Sequence, residues 1–121
     1  MAFPDDFTVE LRRSDRSLLV VPAGELDVAT VPKLAAALLE HVEPGQPVAL
    51  DLRGLEFIDT AGLRLVLEQH ERVKADGGRL VLVRGSASVQ RLFEIAGLAE
   101  VLEFVDDPDQ LHTDNGGAPE P

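Results

Sequence analysis

The hydrophobic pattern changes period in the middle of the chain, between Val48 and Leu63. Val48, Leu50 and Leu52 alternate with Ala49 and Asp51, the period of two that marks a short strand, and Gly54 breaks the run. After the apolar pair Phe57 and Ile58, the residues Leu63, Val66, Leu67, His70 and Val73 recur at helical spacing and form one stripe of an amphipathic helix. The helix is predicted to start near Asp59, whose carboxylate suits both the open N–H groups of a first turn and the positive end of the helix dipole. Thr60 then falls in the first turn with its hydroxyl beside the loop, and neither Ala61 nor Gly62 is large enough to screen it. The stretch reads as a helix N-terminus offered to another protein, within reach of a protein kinase.

The flanking pattern fills in the rest. Phe7, Val9 and Leu11 alternate with polar residues, and Leu18 to Val21 follow a polar run, so two antiparallel strands with a turn around Ser14 and Asp15 are predicted, the second ended by Pro22, Ala23 and Gly24. Val31, Leu34, Ala35, Leu38, Leu39 and Val42 form the stripe of a first helix, with Thr30 as its cap, Pro32 in its first turn, and Pro44 and Gly45 beyond its end. Asp76-Gly77-Gly78 supplies a left-handed stop for the second helix, and the unbroken run Leu80 to Val83 fits a strand covered on both faces. Ser86 or Ser88 could cap a third helix on which Val89, Leu92, Phe93 and Ala96 share a face, and Gly97 closes it with Leu98 placed for an apolar contact. A last strand is predicted about Val101 to Phe104.

This order predicts a single α/β domain with a small mixed sheet of four to five strands and three to four helices. Strands joined through helices lie parallel, and the opening pair is antiparallel. The loops after the strands then line one edge, bringing Gly24, Glu25, Leu26 and Asp27 beside Ile58, Asp59, Thr60, Ala61 and Gly62, and beside the Arg84 to Ser88 loop with Ser86. That edge is the candidate site. The domain is expected to span residues 7–105, between a flexible start over residues 1–6 and a disordered acidic tail over residues 106–121, with at most one turn around Pro108 to Leu111.

Composition narrows the function. A chain of 121 residues holds one core, and without cysteine it has neither a disulfide frame nor thiol chemistry. The formal net charge of −11 opposes nucleic acid and anionic lipid, and with no apolar run long enough to span a bilayer and no signal-peptide pattern the cytoplasm is the expected compartment. His41 and His112 have no companions at metal-binding spacing, His70 on the helical stripe reads as a satisfied, partly buried core histidine, and Gly77-Gly78-Arg79 lacks the lysine and hydroxyl of a phosphate loop. No catalytic grouping, metal site or cofactor cradle emerges, so a binding protein is expected rather than an enzyme. Alone, Asp59 reads as a helix cap, Asp27 as a helix-entry residue, and Thr60 as one exposed threonine among many.

Asp51-Leu52-Arg53-Gly54 followed by Phe57-Ile58-Asp59-Thr60-Ala61-Gly62-Leu63 resembles the core signature of STAS domains, and within them the anti-sigma factor antagonists. Gly24-Glu25-Leu26-Asp27, Gly77-Gly78 and Val89 to Leu98 resemble the flanking segments, so the resemblance covers residues 7–105. It implies helices packed mainly on one face and a monomer or weak dimer. The implied partner is an anti-sigma factor with serine/threonine kinase activity, which the unmodified protein binds so that a sigma factor is released. It further implies phosphorylation at the hydroxyl residue after the motif aspartate, here Thr60, reversal by a protein phosphatase, and a partner contact at Asp27. This chain departs in having threonine where serine is commoner, and Ala61 where a second hydroxyl often stands. Two other readings remain open: a STAS subunit of a signalling assembly or transport ATPase with Thr60 never modified, and a small-molecule binder or minor enzyme.

Overall fold

The computed structural model describes residues 6–113. β1 (Thr8–Ser14) and β2 (Ser17–Leu26) form an antiparallel hairpin in which Ser14 stands opposite Ser17, and Asp15 adopts a positive φ of 30° in the two-residue turn. Asp tolerates that region because its short polar side chain bonds locally. Contrary to the expectation of a stop at Pro22–Gly24, β2 continues to Leu26. Its parallel neighbours explain this: β3 (Pro47–Asp51) pairs with Leu18–Val20, and β4 (Leu55–Ile58) pairs with Gly24–Leu26. Pro22 and the bulge between Gly24 and Glu25 fall where one parallel partner gives way to the other, a place where a missing N–H and an irregular register are tolerated.

β5 (Arg79–Val83) pairs parallel with β3 and β6 (Phe104–Val105), giving a six-stranded sheet in the order β1-β2-β3-β5-β6 with β4 joined to β2. The mixed α/β sheet is as expected, but the strand count exceeds the four to five predicted. The extra strand is β4, which follows a 3₁₀ turn over Leu52–Gly54 and has the burial pattern in-out-out-in rather than an alternation that sequence can show. The last strand is also shorter and later than Val101 to Phe104, since Val101 is exposed in a turn and only Phe104 and Val105 pair.

Strand alternation divides the core. Leu18, Val20, Val48, Leu50, Leu80 and Leu82 pack under α1 (Val31–His41), α2 (Thr60–Ala75) and α3 (Ala87–Ile95), which bury Leu34, Leu38, Leu63, Val66, Val73, Val89 and Phe93. Leu39, at the margin of the α1 stripe, is exposed instead of buried. Left-handed glycines close the helices as predicted: Gly77 (φ 84°) places Gly78 N–H on the Val73 carbonyl, and Gly97 (φ 77°) places Leu98 N–H on that of Phe93.

The second face carries a smaller cluster of Ala49, Val81, Val83 and Val105, closed by the buried Leu111 of α4 (Gln110–Thr113). Gln110 Oε1 accepts from the Asp106 and Asp107 N–H groups, and Arg79 donates to the Leu111 carbonyl. The domain boundary read from the sequence at Val105 therefore falls short, because the first part of the acidic tail is folded onto the sheet. The remainder of that tail, residues 114–121, and residues 1–5 lie outside the described residues. Leu111→Ala should cost about 2 kcal/mol, the low end for a buried leucine, because the satellite cluster is small. Urea melts of the two proteins check this, and an unchanged midpoint would mean that the segment contributes no packing.

Candidate functional site

The site is built where β2 and β4 end side by side. Leu26 is in register with Ile58, and the Asp59 N–H donates to the Leu26 carbonyl at 3.2 Å. What brings β4 there is the Asp51-Leu52-Arg53-Gly54 turn. Asp51 is buried at the end of β3, and its carboxylate accepts from the Arg53 backbone N–H at 3.0 Å, from Nε at 3.0 Å and from Nη2 at 2.8 Å. Burial by itself would push the Asp51 carboxyl up, but these hydrogen bonds and the Arg53 charge, with a smaller effect from Arg12, hold it below its ordinary value.

Beyond Ile58 the Asp59 backbone is extended, and its Oδ1 accepts from the Gly62 N–H at 3.1 Å while its carbonyl takes the first helical bond from Leu63 N–H. Asp59 is thus the N-cap that the sequence predicts. Gly62 faces inward. A Cβ there would lie 2.7 Å from Ile58 Cγ1 and 3.0 Å from Leu26 Cγ, so the helix backbone rests directly on the two strand ends. With Gly62 and Leu63 buried, Thr60 is turned to solvent, and among the described residues its hydroxyl has no hydrogen-bond partner.

The neighbouring loop is tied down by its own side chains. Asp27 Oδ1 accepts from the Ala29 and Thr30 N–H groups at 3.0 and 3.1 Å, and Thr30 Oγ1 accepts from Asp27 N–H and donates to the Glu25 carbonyl at 2.7 Å. Thr30 holds the cap position of α1 but, unlike the expectation, its hydroxyl is committed to this loop and not to the helix. Ser86 caps α3 through Val89 N–H at 3.3 Å. Its loop adjoins the 3₁₀ turn, with Gly85 against Leu52, and among the described residues no hydrogen bond links Ser86 to Thr60.

Of the residues expected on the edge, Glu25 and Thr60 are exposed, Asp27, Asp59 and Ala61 are half-buried, and Leu26, Ile58 and Gly62 are buried. The last three hold the site and cannot touch a partner. Gly24 is also structural: its φ is 111°, and a side chain there would strike the Asp6 carbonyl. Val28, which the pattern reading did not place, is 75% exposed, and the apolar pair read from the sequence divides, with Ile58 buried and Phe57 46% exposed. His70 is half-buried as expected, but its Nδ1 is enclosed with no hydrogen-bond partner among the described residues. Within the same residues, no cluster of three or more metal-ligating side chains forms, and no helix is long and apolar enough to cross a membrane.

Against this geometry, the STAS domain model matches residues 8–111. The anti-sigma-B factor antagonist of Bacillus subtilis is 30% identical over 99 residues, covering 82% of this chain and 91% of that protein. That of Listeria monocytogenes is 28% identical over 112 residues, covering 91% and 98%. In fold, the crystal structure of an anti-sigma factor antagonist from Mycobacterium paratuberculosis superposes with a TM-score of 0.81 at 24% identity, over 93% of this chain and 97% of the other.

Two outcomes are expected. Gly62→Ala should destabilise by about 1–3 kcal/mol through overpacking of Leu26 and Ile58, read by chemical denaturation; a neutral result would mean that the helix start is not seated as described. Asp51→Asn should cost about 1–2 kcal/mol at neutral pH, discounted for the solvent on Arg53. Because the folded carboxyl titrates below its ordinary value of 3.8, its contribution is complete above that pH and is lost as pH falls through the lowered value. The gap between wild type and Asp51→Asn in urea melts should therefore close in strong acid, and a gap constant with pH would contradict the assignment.

Proposed function

Because the chain belongs to the STAS domain family, we propose that it acts as an anti-sigma factor antagonist: in its unmodified state the Thr60 edge docks on an anti-sigma factor, and the sigma factor that partner holds is released. Phosphorylation of Thr60 by a serine/threonine kinase activity of the partner ends the docking, and a protein phosphatase restores it. The observation that carries this reading is the exposed, unbonded hydroxyl of Thr60 one residue past the capping aspartate.

A phosphate at Thr60 adds about −1.5 to −2 charge and three acceptor oxygens. Within the domain the anion meets the positive end of α2, so the fold tolerates it. At an interface the same group occupies space and repels carboxylates, and Asp59, the residue before it, already carries one. A loss of about 3 kcal/mol lowers affinity by more than a hundredfold, which suffices for a switch. Threonine offers the same oxygen nucleophile as serine, and Ala61 leaves no second acceptor in the first turn.

The test is incubation with ATP and the anti-sigma factor kinases of the source organism, mapping of the phosphate by mass spectrometry, and titration of binding. Phosphate should appear on Thr60 alone, Thr60→Ala should bind but resist the kinase, and Thr60→Glu should bind at least tenfold more weakly. Phosphate elsewhere, or full-strength binding by Thr60→Glu, would overturn the switch. A tight complex that ATP never dissolves would favour a non-switching subunit instead.

A further inference from the structure

We propose that Thr30 is a positioning residue of the docking edge: its hydroxyl holds residues 25–30 in the one shape a partner meets, and partner affinity depends on that hydroxyl. The inference rests on the docking reading above and adds a residue to it. Thr30 stands at the N-cap of α1, where a threonine ordinarily accepts from an N–H of the first helical turn, yet its side chain makes no such bond. The hydroxyl is spent backwards on the loop instead. Its Oγ1 accepts from the Asp27 N–H at 2.9 Å and donates to the Glu25 carbonyl at 2.7 Å, closer than the Asp27 Oδ1 at 3.3 Å and the Asp27 carbonyl at 3.4 Å. In return Asp27 Oδ1 accepts from the Ala29 and Thr30 N–H groups, and the Asp27 carbonyl accepts from those of Thr30 and Val31.

This ring of bonds is tied to the Thr60 side of the edge. Leu26, inside the ring, is in register with Ile58, and its carbonyl takes the Asp59 N–H at 3.2 Å, so a loop held at Glu25 and Asp27 is held relative to the entrance of α2. Thr30 is half-buried, whereas Glu25, Val28 and Ala29 are exposed, so the hydroxyl supports the loop that those residues present. Asp27 divides its carboxylate in the same way: Oδ1 is taken up by the loop, and Oδ2 has no hydrogen-bond partner among the described residues. Without the Thr30 hydroxyl, the Asp27 N–H loses the acceptor the structure gives it. The loop must then be ordered each time a partner binds, a cost that a preformed loop avoids.

The test uses the full chain with two readouts, amide hydrogen exchange followed by NMR and calorimetric titration with each purified anti-sigma factor of the source organism. In the wild type the Asp27 N–H should exchange about tenfold or more slowly than that of Val28, which has no acceptor among the described residues. Thr30→Val keeps the shape and removes the hydroxyl. It should erase that protection, leave the Asp59 N–H as slow as before, and weaken partner binding about fivefold or more, while Thr30→Ser should stay within about twofold of wild type. Thr30→Ala repeats the loss should the valine variant fail to fold. Wild-type affinity in Thr30→Val, even with a lowered melting temperature, overturns the positioning role, because a hydroxyl that only stabilised the fold would do the same. Equal weakening in Thr30→Val and Thr30→Ser overturns it too, as does a wild-type Asp27 N–H that exchanges as fast as that of Val28. These results leave the docking reading standing. A wild-type chain that binds none of the anti-sigma factors ends the docking reading and the positioning role together.

Discussion

The backbone of Gly62 lies so close to Leu26 and Ile58 that one added carbon would strike both, and that contact decides where α2 begins. Two strand ends and one helix start are thereby locked into a single unit. The Asp59 N–H bonded to the Leu26 carbonyl and the Asp59 carboxylate bonded to the Gly62 N–H fix the unit from either side. Once Gly62 and Leu63 face the core, the helical repeat leaves Thr60 facing solvent. The exposure of the hydroxyl is a consequence of packing below it.

The turn that delivers β4 to this place depends on a different kind of force. Asp51 is withdrawn from water, and its three hydrogen bonds from Arg53 replace the hydration it gives up. This explains why an acid and a base sit two residues apart in the signature stretch. The acid surplus of the chain is a separate matter. It discourages polyanions as ligands, and solvent and salt screen charges separated by more than about 10 Å.

Much of the site was legible because it rests on local rules. The stripe of α2, the cap at Asp59, and the glycine stops at Gly77 and Gly97 each follow from a few neighbouring residues. What was not legible depends on contacts between distant segments. β4 has no alternation to reveal it and exists through its pairing with β2, the same pairing that carries β2 past Pro22. Leu111 lies among polar and acidic residues, and nothing local marks it as the closure of the second sheet face. For the same reason Leu26 and Ile58 could be placed on the edge by sequence but not assigned to its interior, and Val28 and Phe57 could not be recognised as exposed.

All of this turns on whether the surface around the α2 entrance is where a partner sits. The most direct measurement is NMR mapping of backbone amide shifts while an anti-sigma factor of the source organism is added. The account predicts that the shifts concentrate at Glu25 to Val28 and at Glu56 to Ala61, with the β1–β2 turn and the last turn of α1 unaffected. Shifts centred on those remote segments, with the Thr60 amide unmoved, would contradict it.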